Sequence, residues 1–265
     1  MAWVLLSVAG STRGPCVNTK PDPGVRFEPL LGQKALVTGA SSGIGRAIAL
    51  SLGEAGADVV ENYAYASEED EAQALVEEIR AKGSRALALR ADLSDEAQVR
   101  NMFWRMIDEF GTIDILVNNA ALRQDAPFHE LTLAQRNEGM AVHLTGQFLC
   151  SREAVREFMR RGVKQDVSCS AGKIICISCV DEVIPREGQV SCATPKGDVM
   201  LMMKRLAREV APYRIRVNSI CPDAIRTPAN EIGRATVWIA SDCADYVHGV
   251  SLFADGDKGF SRDPE

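Results

Sequence analysis

The chain has 265 residues, of which 46% are hydrophobic, so it is long enough to bury the core of an α/β domain. Its formal net charge is −6 with acidic and basic residues interspersed, which argues against the basic face of a nucleic-acid-binding protein. The longest apolar runs are shorter than the roughly 20 residues that span a bilayer, so we expect no membrane segment.

Residues 1–30 combine a short apolar stretch with glycine, proline and polar residues, whereas a signal peptide needs a basic start and a longer apolar core. We expect residues 1–30 to be a disordered extension, with a targeting segment as the alternative, and residues 31–260 to form a single domain. Most of the eight cysteines lie in apolar runs, which favours reduced, buried thiols. We expect a cytoplasmic protein without a metal site.

Short apolar runs alternate with amphipathic segments along the chain. In the first half this pattern predicts strands at residues 35–37, 58–60, 86–89 and 113–117, and helices at 45–52, 68–82 and from a cap at Ser94 to 110. In the second half it predicts helices at 133–161, 197–210 and 231–241, and strands at 173–177, 215–217 and 250–254. This alternation is typical of an α/β protein with one doubly wound parallel sheet and helices on both faces.

A glycine-rich turn, T-G-A-S-S-G-I-G at residues 38–45, joins the first strand to the first helix. Gly39 permits a tight turn, Gly43 lets the backbone approach a pyrophosphate, and Gly45 lets the helix pack closely on the strand. The helix N-terminus offers free N–H groups and a positive dipole end to phosphates. The turn therefore predicts a nucleotide-binding site.

Four further motifs follow in order: Asp92-Leu93, Asn118-Asn119-Ala120, R-V-N-S-I-C-P at residues 216–222, and Asp255-Gly256. Together with the turn, over residues 33–257, the chain resembles the short-chain dehydrogenase/reductase family and within it the glucose 1-dehydrogenase-like members. The resemblance implies a single-domain, Rossmann-like fold that binds NAD or NADP. It places the cofactor on Gly39, Ser41, Gly43, Ile44, Gly45, Asp92, Leu93, Asn119, Ala120, Lys196, Pro222 and Ile225.

The preference between NAD and NADP stays open, because the end of the second strand, residues 62–64, carries neither an acidic nor a basic side chain. Arg46 is either a ligand of a phosphate or a solvated surface residue. Ala121 and Asp223 stand where the family has glycine, which places side chains where the backbone needs room.

In the family a Tyr, a Ser, an Asn and a Lys carry out proton transfer and substrate binding. By resemblance these positions are Cys192, Cys179, His143 and Lys196, and only Lys196 matches. A cysteine is too short to reach the position of a phenol oxygen, and loss of a positioned general acid costs roughly 10²–10⁴ in rate. We expect impaired catalysis. Lys196 could also lower the pKa of Cys192 and make it a reactive thiolate, or Cys192 could be an inert packing residue.

The family covers its substrate with a long segment after the sixth strand, which is here shorter by roughly two dozen residues. Three readings stay open: an oxidoreductase acting on a sugar or alcohol, a non-catalytic protein that binds a dinucleotide or a partner chain, and a decayed product without activity. The resemblance implies a homodimer or homotetramer formed by the helices at 133–161 and 197–210. Val199, Met202 and Met203 could serve that interface or belong to the core.

Overall fold

The computed structural model describes residues 27–122, 126–184, 187, 190–223 and 229–256, without the side chain of Cys192. The strands in this part are β1 (Lys34–Thr38), β2 (Asp58–Tyr63), β3 (Ala86–Arg90), β4 (Ile115–Asn118), β5 (Gly172–Ile177), β6 (Ile215–Pro222) and β7 (Ser251–Ala254). The α-helices are α1 (Gly43–Glu54), α2 (Glu69–Ala81), α3 (Glu96–Phe110), α4 (Leu133–Met140), α5 (Gln147–Arg161), α6 (Val190–Val210) and α7 (Ala229–Ala240).

The strands form one parallel sheet in the order β3-β2-β1-β4-β5-β6-β7. The direction of winding reverses between β1 and β4, and in such sheets a crevice opens there beyond the carboxyl ends of the strands. Thr38 and Asn118, the last residues of β1 and β4, therefore border the crevice. The predicted doubly wound parallel fold is confirmed.

Successive side chains of a strand point to opposite faces of the sheet, and each face packs against helices in its own hydrophobic core. Leu36 and Leu116 face the core that α3, α5 and α6 cover, whereas Val37 and Val117 face the core under α1, α2 and α7. Strands β1 and β4 are thus apolar on both faces, as buried parallel strands are. In the part of the chain that the structure describes, no helix is long and apolar enough to cross a membrane.

Two predicted helix starts are wrong. The cap of α3 is Asp95, whose Oδ1 accepts hydrogen bonds from the backbone N–H groups of Ala97 and Gln98, while Ser94 donates to Asp92 instead. Helix α6 begins at Val190, seven residues before the predicted start at 197, and Pro195 lies inside it. Pro195 is buried, and the packing around it offsets the hydrogen bond that a proline cannot make.

The helix predicted at residues 133–161 is continuous but not uniform. A π-helical segment, Ala141–Gly146, separates α4 from α5. Such wide turns arise where a residue is effectively inserted into a helix, and they occur frequently at functional sites. The periodicity of the sequence did not predict this segment.

Residues 1–26 of the predicted N-terminal extension, residues 1–30, lie outside the described residues. Of its last four residues, Leu30 is fully buried, and its backbone N–H donates to the Ala55 carbonyl at 3.0 Å. Leu30 packs with β1, α1 and α2 in the second core. The folded part therefore includes at least this residue.

Glu61 is a carboxylate inside the sheet. It lies between Val37 of β1 and Ala88 of β3, on the face covered by α1 and α2, and it is 1% exposed. Neither carboxylate oxygen has a hydrogen-bond partner among the described residues. Burial, and then the negative charge of Glu68, raise the pKa of Glu61 to about 7. The fold therefore favours the protonated form.

This shift has a consequence for stability. Because the pKa of Glu61 rises from 4.5 to about 7 on folding, the folded state binds more protons between these values. Stability from this group is present at low pH and is lost as the pH rises through about 7. Glu61→Gln cannot ionise. We therefore expect its free energy of unfolding, relative to that of the parent, to be higher at alkaline than at acidic pH by on the order of 3 kcal/mol.

Urea unfolding at about pH 5 and about pH 8.5 measures this difference. The control is Glu69→Gln, which removes a charge from an exposed residue and should leave the pH profile unchanged. Parallel profiles for Glu61→Gln and the parent would show that the carboxyl ionises without penalty.

Candidate functional site

The glycine-rich turn lies between β1 and α1 at the edge where the winding reverses. Gly39 and Gly43 adopt left-handed φ angles of +61° and +57°, which side-chain-bearing residues rarely adopt. A Cβ placed on Gly43 would meet no described atom within 4 Å, so this side of the turn is open to a ligand. Ser41 is buried at the base of the turn, and Ile44 is half-buried at the start of α1.

The other side of the turn is tightly packed. A Cβ on Gly45 would lie 2.3 Å from the Gly39 carbonyl oxygen and 2.4 Å from Asn119 Nδ2, so a larger residue would displace the turn. The same Nδ2 donates to the carbonyl oxygens of Thr38 and Gly39, at 2.9 and 2.8 Å. Thr38 Oγ1 in turn accepts from the backbone N–H groups of Asn119 and Ala120, at 2.9 and 3.1 Å.

Helix α1 presents a free N-terminus at the open side. Its N-cap, Ser42, makes no capping hydrogen bond with its side chain, and the first turn has no acidic residue. The first backbone N–H groups of a helix lack partners within it, and they carry the positive end of its dipole. This end of α1 and the glycine backbone together fit a bound pyrophosphate.

Two of the predicted cofactor residues follow β3. Asp92 is exposed, and its Oδ1 accepts hydrogen bonds from the backbone N–H and the hydroxyl of Ser94, at 2.9 and 2.8 Å. Leu93 is 6% exposed and belongs to the first core, with its Cβ against Gly146. Asp92 is therefore accessible to a ligand, whereas Leu93 offers only its backbone.

Two polar side chains, Asn62 of β2 and Glu68 just before α2, lie beside the glycine turn, and the sequence did not predict the place of Glu68. Asn62 spans from β2 to β3, because its Nδ2 donates to the carbonyl oxygens of Leu89 and Ala91, at 3.3 and 3.0 Å. Glu68 turns back from the start of α2, and its Oε1 lies 3.4 Å from the hydroxyl of Ser41. An acidic residue about 20 positions after the glycines is the sequence signal for a ribose ligand. We expected it at the end of β2, whereas Glu68 lies further along the chain, just before α2.

Arg46, which could contact a phosphate or be a solvated surface residue, is partly exposed on α1. Its guanidinium forms an ion pair with Glu78 of α2. The pair is partly exposed, and the two alternatives for Arg46 stay open.

Lys196 and His143 lie together on the reaction side of the crevice. Lys196 is 4% exposed, and its Nζ donates to the Ile177 carbonyl at the end of β5, at 2.6 Å. His143 belongs to the π-helical segment, is 1% exposed, and its Nε2 lies 2.7 Å from the Leu122 carbonyl oxygen. Burial and then the charge of Lys196 lower the pKa of His143 to about 4, so its imidazole is neutral at physiological pH.

Cys179 lies two residues after the end of β5 and two residues before Asp181. Its Sγ donates to Asp181 Oδ2 at 3.0 Å, and Asp181 is 6% exposed. The next carboxylate, Glu182, accepts from the hydroxyl of Ser178 and from Cys221 Sγ. The thiol hydrogen of Cys179 thus points to a carboxylate, and the surroundings of the sulfur are acidic.

The remaining predicted residues are placed only in part. Cys192 lies in the first turn of α6, four residues before Lys196, and its side chain lies outside the described residues. Pro222 ends β6 and is buried, whereas Ile225 lies outside the described residues. The hypothesis of a reactive thiolate at Cys192 stays a prediction.

The connection after β6 is short. Residues 223–228 alone separate Pro222, the end of β6, from Ala229, the start of α7. Helix α7 then packs closely on α1, since a Cβ on Gly233 would lie 2.2 Å from Ser51 Oγ. There is no length of chain here for a long covering segment.

The cysteines follow the expectation of reduced, buried thiols in part, because Cys150, Cys176 and Cys221 are buried whereas Cys169 and Cys179 are only partly buried. Among the described residues, the free thiols are Cys150, Cys169, Cys176, Cys179 and Cys221. Burial raises the pKa of Cys176 to about 11, which keeps it protonated. Cys243 is disulfide-bonded, so the expectation of reduced thiols is wrong for this residue. Unlike the buried thiols, Cys243 is exposed.

Comparison with known proteins shows the family to which this chain belongs. The model of the short chain dehydrogenase family matches residues 33–237. Glucose 1-dehydrogenase 2 of Bacillus subtilis (strain 168) is 32% identical, over 87% of this chain and 96% of the relative. The 3beta-hydroxysteroid dehydrogenase 1 of Eggerthella lenta is 34% identical, over 87% and 95% of the two chains.

A solved structure agrees with these relatives. The short chain dehydrogenase of Burkholderia cenocepacia J2315, determined in complex with NADP, superposes with a TM-score of 0.77 at 30% identity, over 86% of this chain and 98% of that one. The predicted resemblance is confirmed, and with it the cofactor class of the family, NAD or NADP. On its glycine turn, its sheet order and these matches, the chain belongs to the short-chain dehydrogenase family.

Proposed function

We propose that this protein binds NAD or NADP at the glycine turn and that its ancestral reaction, hydride transfer between nicotinamide and a sugar or alcohol, is strongly impaired. The pyrophosphate binds the backbone of the turn and the N-terminus of α1, at Gly39, Ser41, Gly43, Ile44 and Gly45. Asp92, Leu93, Asn119 and Ala120 would border the adenine side, and Lys196 and Pro222 the nicotinamide side. The resemblance adds Ile225, which lies outside the described residues. When bound, the nicotinamide supplies or accepts the hydride.

The impairment rests on one observation: the thiol of Cys179 donates to Asp181. In the family the corresponding hydroxyl binds the substrate oxygen, whereas a thiol is a weak donor and here its hydrogen is already used. Lys196 donates to the Ile177 carbonyl. Cys192 stands where the family has Tyr, and its shorter side chain cannot place a proton where the phenol hydroxyl would be. His143 is neutral at physiological pH, and its Nε2 lies against the backbone carbonyl and N–H of Leu122, so it does not supply the missing acid.

The alternative is a protein that acts only by binding, to a dinucleotide and to a second copy of itself. An exposed apolar groove on α5 and α6 favours it, lined by Leu144, Phe148, Leu201 and Met202 with Asp198 and Arg205 at its edge. Phe148 and Leu201 are 48% and 56% exposed. Val199 and Met203, in contrast, are fully buried in the core. A decayed product without activity is the remaining alternative, and it would bind no cofactor.

Titration with NADH and NADPH, followed by the fluorescence of the nicotinamide, tests the binding site. We expect saturable binding of at least one of the two below millimolar concentration. Gly45→Ala should abolish it, because the added methyl group overlaps Asn119 and the Gly39 carbonyl. Gly197→Ala is the matched control, since a Cβ there meets no described atom within 4 Å. No binding of either nucleotide by a folded parent would refute the proposal.

Restoring the family residues tests the chemistry. We expect the double variant Cys179→Ser, Cys192→Tyr to oxidise glucose at least about 10²-fold faster than the parent, because it regains the positioned acid. The control is Cys179→Ser, Cys192→Phe, which has the same ring without the hydroxyl. A parent as fast as the double variant would contradict impairment by the thiols. A double variant as slow as the parent would assign the loss to the short connection between β6 and α7.

A charge in the apolar groove tests self-association. We expect Leu201→Asp to shift the protein to a monomer in sedimentation velocity, because burying an unpaired carboxylate in an interface is unfavourable. Leu31→Asp is the control, since Leu31 is 60% exposed and lies outside the groove. An unchanged sedimentation coefficient for Leu201→Asp would exclude this face as the interface.

A further inference from the structure

The loop between β2 and α2 returns to the glycine turn through one side chain. Glu68 Oε2 accepts hydrogen bonds from the backbone N–H groups of Ala64 and Tyr65, both at 3.0 Å. Its other oxygen, Oε1, accepts from the Ser41 hydroxyl at 3.4 Å. The carboxylate is therefore fixed by the backbone of its own loop and faces the base of the turn.

The charges around Glu68 have one prevailing sign. Glu61 is close enough for the charge of Glu68 to raise its pKa, and it is buried without a partner for its carboxylate in the described chain. Arg46, the basic residue of the turn, forms its ion pair with Glu78. Arg90 reaches the loop and donates to the Ala64 carbonyl at 3.3 Å, but it is exposed, so water and salt screen its charge.

In dinucleotide-binding folds the ribose attached to adenine lies between the glycine turn and the segment after the second strand. An acidic side chain there accepts a hydrogen bond from the ribose 2′-hydroxyl, whereas the 2′-phosphate of NADP needs a cation. Glu68 bridges these two segments, through Ser41 on one side and Ala64 on the other.

We propose that Glu68 makes the dinucleotide site select NAD over NADP. The inference rests on the proposed cofactor site and adds a specificity residue to it. The fixed carboxylate accepts from a ribose hydroxyl, and it repels the doubly charged 2′-phosphate. Arg46, the basic residue of the turn, is paired with Glu78. Glu68 lies outside the segment that the family resemblance points to, at the start of α2 rather than at the end of β2.

Titration of the parent and of Glu68→Gln with NADH and NADPH separates the effects. We expect the parent to bind NADH at least about tenfold more tightly than NADPH, and Glu68→Gln to reduce that ratio by about tenfold, mainly through tighter NADPH binding. Gln keeps an oxygen for the N–H groups of Ala64 and Tyr65, so the loop should keep its shape. Glu69→Gln is the matched control, because it removes the same charge from an exposed neighbour.

A second readout needs no nicotinamide. Thermal shifts with AMP and with adenosine 2′,5′-bisphosphate compare the two riboses directly, and we expect AMP alone to stabilise the parent. Equal or tighter NADPH binding by the parent, or an equal effect of Glu69→Gln, would overturn the selection by Glu68 and leave the dinucleotide site standing. Failure of the parent to bind either nucleotide would overturn the site itself, and this inference with it.

Discussion

The side-chain amide of Asn119 fixes the geometry on which the whole site depends. It joins β4 to the end of β1 by donating to the carbonyl oxygens of Thr38 and Gly39. A Cβ on Gly45 would overlap this amide, so the first turn of α1 needs glycine at that position. One amide thus ties the glycine turn to the end of β4 and fills the space beside Gly45. The open side of the turn, at Gly43, exists because the other side is this tightly closed.

The two halves of the crevice rest on different elements, and they differ in how well they fit their chemistry. The turn belongs to β1, α1 and β4, and it keeps what a pyrophosphate needs: backbone N–H groups, glycine and a free helix dipole. The reaction side belongs to β5, α6 and the π-helical segment. There, the neutral imidazole of His143 lies close to Lys196, and the thiol of Cys179 donates to Asp181. Binding and catalysis can be lost separately because separate elements carry them.

Glu61 and Glu68 connect stability with specificity. A buried carboxylate in the middle of a sheet costs free energy, and Glu68 increases that cost by its charge. Cofactor binding sites commonly contain such perturbed groups. If Glu68 selects the unphosphorylated ribose, the fold tolerates a destabilising pair of acids for the sake of a site at the sheet edge. The neighbouring Arg46 is paired with Glu78, so its charge is partly balanced before any ligand binds.

The sequence by itself determined the fold class, the order of strands and helices and the glycine turn, because local periodicity and the backbone freedom of glycine are written in neighbouring residues. Resemblance also assigned Lys196 and the thiol positions to the proposed active site. It did not predict the π-helical segment, the start of α6 at Val190 or the role of Asp95, because packing decides between local alternatives of similar energy. Only the tertiary structure brought Glu68 to Ser41 and the Cys179 thiol to Asp181. Those contacts depend on the exact path of a loop and the rotamer of a side chain, and neither is encoded in the periodicity of the chain.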